Sequence, residues 1–161
     1  MQKFQEIYQL YADDVYRFAY WLCGDPDEAE DITSKTFIRA FVKKSAIRTE
    51  TLKAYLFAIS RNYFLEQLRK TKHQAALKAD YPDQAPEPGK VAESRLQLNR
   101  IRKSLQNSPE TDRTAFVLRV QHGLPYSEIA RILNLPLSTA KVKVHRIRKK
   151  LISEFMEKEV L

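Results

Sequence analysis

Apolar residues along this chain return at intervals of three and four, with no sustained alternation of apolar and polar positions, so the pattern predicts helices and no sheet. Phe4, Ile7, Tyr11, Val15, Phe18 and Leu22 form one stripe of a first helix from about Lys3 to Leu22. Gly24 ends it. Asp25 then supplies a cap, with Pro26 at the first helical position and Glu28 three residues beyond the cap. The second helix carries Ala29, Ile32, Phe37, Ala40 and Phe41, and a polar connection from Lys43 to Glu50 leads to a third helix from about Thr51 to His73. From Gln74 to about Gly89 the composition turns to Tyr81, Pro82, Asp83, Pro86, Glu87 and Pro88, which cannot pack as a core element and read as a linker. Beyond it come a helix near Val91–Leu105 and another opened by Ser108 and Pro109 and closed by Gly123. A short helix follows, with Ile129, Ala130 and Leu133 on its inner face, then a sharp turn at Asn134, a residue that tolerates left-handed backbone. After Pro136, the residues Ala140, Val144, Ile147 and Leu151 make the stripe of a last, longer helix. The expected fold is all-α: two small helical domains, residues 1–73 and 91–161, joined by a flexible linker over 74–90, with a helix-turn-helix in the second.

Charge sharpens this picture. The 161 residues carry a formal net charge of +8, and the excess is uneven. Between Asn99 and Lys150 the only acids are Glu110, Asp112 and Glu128, whereas the first 73 residues are close to balanced and crowd Asp25, Asp27, Glu28, Glu30 and Asp31 together. Off the apolar stripe of the last helix lie Thr139, Lys141, Val142, Lys143, His145, Arg146, Arg148, Lys149 and Lys150. A one-sided basic helix behind a short helix and turn fits a recognition helix in the DNA major groove, which is wide enough to admit one; a merely basic surface helix is the plainer alternative. The asymmetry points to a polyanion-binding C-terminal half and an N-terminal half of mixed role.

Other classes are disfavoured. Lys3, Glu6, Asp13 and Asp14 interrupt any signal-like apolar run, and no stretch approaches the length of a membrane span, which implies a soluble, cytoplasmic chain without membrane insertion of its own. Cys23 is the one cysteine and sits beside Trp21 and Leu22, as a small core residue would. His73, His122 and His145 are scattered without ligand spacing, so no metal site and no cofactor are expected. No assembled nucleophile, metal or phosphate-loop constellation suggests an enzyme.

Three segments, in order, resemble the compact extracytoplasmic-function class of bacterial sigma factors. YADDVYRFAYWLCGDPDEAEDITSKTFIRAFVK (Tyr11–Lys43) is similar to the family's first conserved segment, an acidic run followed by T-F-x-R-A. LKAYLFAISRNYFLEQLRKTK (Leu52–Lys72) resembles the helix that engages the minus-10 promoter element, with its R-N pair and basic end. The R-x-x-F-x-L-R of Arg113–Arg119, the Y-S-E-I-A of Tyr126–Ala130 and the T-x-K of the last helix resemble the domain for the minus-35 element. The chain departs from the family at Ser34 and Lys35, where a Gln-Glu pair is usual, and at Ser138, where a glycine is usual.

The resemblance implies a non-enzymatic factor that binds core RNA polymerase through the β′ clamp and the β subunit and directs initiation by recognising both promoter elements. An anti-sigma partner is implied as well. Asp31, Ser34, Lys35, Phe37 and Ile38 fall where the polymerase contact is expected, since an acidic helix suits a basic protein surface and not DNA. For the single-stranded minus-10 element, which demands a basic groove and a pocket for an unstacked base, the candidates are Lys43, Lys44, Arg61, Asn62, Arg69, Lys70 and Lys72. Tyr55, Phe57, Tyr63 and Phe64 are stacking candidates, though core packing is the stronger reading for most of them. For the duplex minus-35 element the candidates are Ser138, Thr139, Lys141, Val142, Lys143, His145 and Arg146, with Lys141 and Arg146 set against guanine edges and Arg148, Lys149 and Lys150 against phosphates or solvent. A rival reading is a dimeric helix-turn-helix regulator binding duplex operators.

Overall fold

The computed structural model describes residues 2–42, 49–75 and 93–156, which form seven helices. These are α1 (Gln2–Cys23), α2 (Pro26–Val42), α3 (Leu52–Ala75), α4 (Glu93–Gln106), α5 (Glu110–Val120), α6 (Tyr126–Leu133) and α7 (Leu137–Met156). Each helix expected from the apolar pattern is present, with ends shifted by a residue or two. α3 runs on through Ala75, and the rest of the predicted linker lies outside the described residues.

Local chemistry sets the boundaries. Gly24 adopts φ +75, a region where a side chain would be strained, and closes α1. One carboxylate oxygen of Asp25 accepts the backbone N–H of Asp27 at 2.8 Å and that of Glu28 at 3.4 Å, satisfying two otherwise unpaired donors of α2. Thr51 caps α3 by accepting the N–H of Ala54 at 3.1 Å. The last carbonyls of α1 find their partners far along the chain. The Gln106 amide donates to Trp21 O and Leu22 O, both at 3.1 Å, and Arg102 Nη1 donates to Gly24 O at 3.0 Å.

Those bonds tie two groups of helices together. α1, α2 and α3 pack through Val15, Phe18, Leu22, Ile32, Phe37, Leu56 and Phe57, each buried. Thr36 Oγ1 and Ser60 Oγ lie 2.9 Å apart in the same core, linking α2 to α3. α4 to α7 pack through Leu105, Leu118, Ile129, Ala140, Val144 and Ile147. The two sets belong to one continuous hydrophobic cluster rather than two separated cores. His122, after α5, lies against Phe57 of α3 and Phe18 of α1, with ring centroids 4.6 and 6.0 Å apart. No helix among the described residues is long and apolar enough to cross a membrane.

Candidate nucleic-acid interface

The turn before α7 is built on Asn134, at φ 55 and ψ 49, whose N–H returns to the carbonyls of Ala130 and Arg131. Leu135 N donates to Ala130 O at 2.9 Å, and Ala140 N donates to Pro136 O at 3.1 Å, so α7 starts directly after the proline. Ala140, Val144 and Ile147 are buried against the domain, while Ser138, Lys141, Val142, His145, Arg146, Arg148 and Lys149 are exposed and Thr139 is half-buried. Arg119 braces the unit: its Nη1 donates to Leu124 O at 3.1 Å, and its guanidinium lies 4.3 Å from the Tyr126 ring centroid. The Lys141 ammonium approaches the same ring at 5.8 Å.

Not every cation of α7 faces outward. Asp112 of α5 is wholly buried, and one of its oxygens accepts Lys143 Nζ while the other accepts Arg146 Nη1, both at 3.0 Å. Lys143 also donates to Thr111 Oγ1 at 3.0 Å. Lys150, expected at phosphates or in solvent, donates instead to Ser104 O at 2.9 Å and Ser108 Oγ at 2.8 Å. Residues 143, 146 and 150 share one flank of the helix; Lys143 and Lys150 are spent within the protein, whereas Arg146 is tied there through Nη1 and its side chain stays 59% exposed.

The basic face of α3 is divided in the same way. Asn62, Arg69 and Lys70 are exposed. Arg61 is turned toward α5, where Nε and Nη2 meet the two oxygens of Glu110 at 2.7 and 3.0 Å, and Nη1 reaches Ile132 O at 3.4 Å. In this arrangement Arg61 is not available to a nucleic-acid strand. Phe57, Tyr63 and Phe64 are core residues, which removes them as stacking platforms, and Tyr55 is half-buried. Lys43 and Lys44 lie outside the described residues, as does the side chain of Lys72.

On α2, the side chains of Asp31, Ser34, Lys35 and Ile38 are exposed. Phe37 is not: it is 1% exposed and packs edge-on to Tyr8, with centroids 4.9 Å apart, so it supports this surface from beneath and does not form it. Asp31 accepts the Tyr63 hydroxyl at 2.6 Å. Burial, then the bond to Asp31, pushes the Tyr63 phenol up to about 12. Arg39 lies over the Tyr63 ring at 4.9 Å and pairs with Glu66 at 2.7 and 3.0 Å. The bond to Arg39 holds the Glu66 carboxyl below its ordinary range.

Sequence reasoning did not find the roles of Glu110, Asp112, Glu128 and His122. Glu128 of α6 is buried and accepts the Glu50 N–H at 2.7 Å, while Glu50 pairs with Arg131 at 3.1 Å. Three acids are thus the anchors of an otherwise basic stretch, and their isolation there was the available signal. Burial, with Lys53 and Arg17 nearby and Asp14 opposing them, lowers the His122 imidazole to about 4.

Residues 7–74 match the family model of Sigma-70 region 2, and residues 98–151 match that of Sigma-70, region 4. The chain is 35% identical over 157 residues to the ECF RNA polymerase sigma factor SigE of Mycolicibacterium smegmatis, covering 94% of this chain but only 61% of that relative's length. It is 31% identical over 161 residues to the ECF RNA polymerase sigma factor SigW of Bacillus subtilis, covering 92% of this chain and 86% of that one. This chain belongs to the ECF RNA polymerase sigma factors. Among solved structures, the sigma factor RpoE of Bartonella quintana, in complex with the anti-sigma factor NepR, has a TM-score of 0.77 at 26% identity over 95% of this chain and 96% of that one. In this ECF sigma factor the region 2 match runs through α1, α2 and α3, and the region 4 match runs from within α4 into α7. The acids Glu110 and Asp112 and the cations Arg61, Lys143 and Arg146 all fall inside the matched segments.

Proposed function

We propose that this chain binds core RNA polymerase and directs promoter-specific initiation, reading the duplex minus-35 element with α7 and the unpaired minus-10 strand with α3 and the segment before it. The observation that carries this reading is the exposed face of α7, where Ser138, Lys141, Val142, His145 and Arg146 look outward from a helix-turn-helix. Membership of the ECF family supports the polymerase as the partner that performs the chemistry. The exposed acid of α2, Asp31, together with Ser34, Lys35 and Ile38, is the proposed polymerase contact. An anti-sigma factor as a further partner is supported by the likeness to the Bartonella quintana protein.

The domains proposed for these tasks are residues 1–73 and 91–161. Two weak contacts on one chain reinforce each other, because binding at one raises the effective concentration at the other. Arg61 becomes available for the minus-10 strand only when its pair with Glu110 opens, so promoter engagement breaks that pair. Co-elution of the purified chain with core polymerase, followed by protection of both elements on promoter DNA, tests the reading. Protection of a duplex operator by the chain alone, with no retention by polymerase, overturns it in favour of a regulator.

A further inference from the structure

A fully buried carboxylate behind a DNA-facing helix needs a reason, because an unpaired buried charge is expensive and an acid repels phosphates. Asp112 has both oxygens occupied, one by Lys143 and one by Arg146, and both partners lie on α7. Their exposures differ. The Lys143 side chain is 16% exposed and has a second internal partner in Thr111, so it points into the protein. The Arg146 side chain is 59% exposed, and among the described residues its one internal bond runs from Nη1 to Asp112. A guanidinium has five N–H donors in a fixed plane. Anchoring at Nη1 therefore leaves Nε and Nη2 as a fork with its direction already set.

We propose that Asp112 is a positioning residue for promoter reading: it fixes the Arg146 guanidinium so that its free edge meets base acceptors, and it withholds Lys143 from the phosphates. The inference rests on the reading of α7 as the promoter helix. An arginine held in place before binding loses less rotamer freedom on contact, which favours the matched sequence. Drawing the Lys143 charge inward removes a sequence-blind attraction from the same surface. Asp112 thus trades general affinity for discrimination without touching DNA.

The substitution Asp112→Asn keeps the shape and removes the charge. The full-length chain is titrated against two duplexes by fluorescence anisotropy at several salt concentrations. One duplex is recovered by the wild-type chain from a randomised pool, and the other is its scrambled form. D112N is expected to reduce the ratio of matched to scrambled affinity by about tenfold. Its scrambled-duplex affinity holds or rises, and its salt dependence steepens by up to about one released counterion. A purely structural aspartate would weaken both affinities in parallel, and that result, or an unchanged ratio, overturns the proposal. In the Arg146→Ala background D112N should cost no further discrimination; an additional loss of equal size means that Asp112 does not act through Arg146. If D112N does not fold, nitrogen-detected NMR of the wild-type chain decides: resolved, slowly rotating Arg146 Nη signals support the anchor, and freely averaged ones refute it. A wild-type chain that recovers no preferred duplex, either alone or bound to core polymerase, removes the promoter reading itself, and the Asp112 proposal with it. A preserved wild-type preference with a normal D112N ratio removes the Asp112 proposal alone.

Discussion

Arg146 and Lys149 lie three residues apart on α7, both exposed, yet Arg146 carries a planar guanidinium anchored at Asp112 and Lys149 a mobile ammonium. Arg146→Ala is expected to cost about 1–3 kcal/mol of discrimination between matched and mutated upstream elements, measured as the difference in binding free energy on the two duplexes. Lys149→Ala should weaken binding uniformly across sequences and reduce the salt slope by about one. Equal losses on both duplexes for Arg146→Ala would refute base reading there. The stripe of Ala140, Val144 and Ile147 was legible in the sequence because period 3.6 marks the side of a helix that faces a core. The inward turn of Lys143 and Lys150 and the tie of Arg146 to Asp112 were not, because periodicity treats every charge as solvated and their partners sit on other helices. Phe37 and Arg61 were assigned to surfaces for the same reason: a motif names a residue but not the direction of its side chain.

At the level of elements, the punctuation residues carried the reading. Gly24, Asp25, Gly123 and Asn134 each fall at a helix end, and the two glycines and Asn134 adopt positive φ. Asn134→Ala should destabilise the chain by about 1 kcal/mol, since an alanine side chain crowds the left-handed backbone. The melting temperature should then fall by about 2–4 °C. Asn134→Gly should leave it nearly unchanged, and a glycine variant as unstable as the alanine one would mean that the side chain, not the backbone, matters. The capping of the α1 end by Gln106 and Arg102 was invisible, because carbonyls at a helix end give no clue to a donor about eighty residues away.

At the scale of the molecule, the sequence pattern made two helical groups legible but not their mutual packing. That packing depends on single residues such as His122, Arg61 and Glu110, which no periodicity marks. His122 makes it sensitive to pH. Its folded-state pKa of about 4 lies below the ordinary value of 6.5, so the folded chain favours the neutral ring. The stability it contributes is complete above 6.5 and is lost as pH falls from there toward 4, by at most about 1.4 kcal/mol per pH unit. Urea midpoints at pH 7 and pH 5 should differ more for the wild type than for His122→Phe; the same difference in both would remove His122 as the cause. Glu66, held low by Arg39, loses its contribution only in more acid solution, so the two effects separate. Glu110→Gln should loosen the contact between α3 and α5 and raise the radius of gyration measured by small-angle scattering, because breaking a largely buried pair costs about 3–5 kcal/mol. An unchanged scattering profile would show that the apolar contacts alone hold the two groups together.

Run-off transcription shows directly whether this chain starts RNA synthesis at chosen sites. Core polymerase is supplied with fragmented DNA from the source organism, with and without the purified chain, and the start sites are mapped. Transcripts that appear only with the chain, and whose starts share one pair of upstream elements, are the predicted result. Transcripts that are absent, or the same with and without the chain, while the chain alone binds duplex tightly, would mean that it is a duplex-binding regulator and no initiation factor.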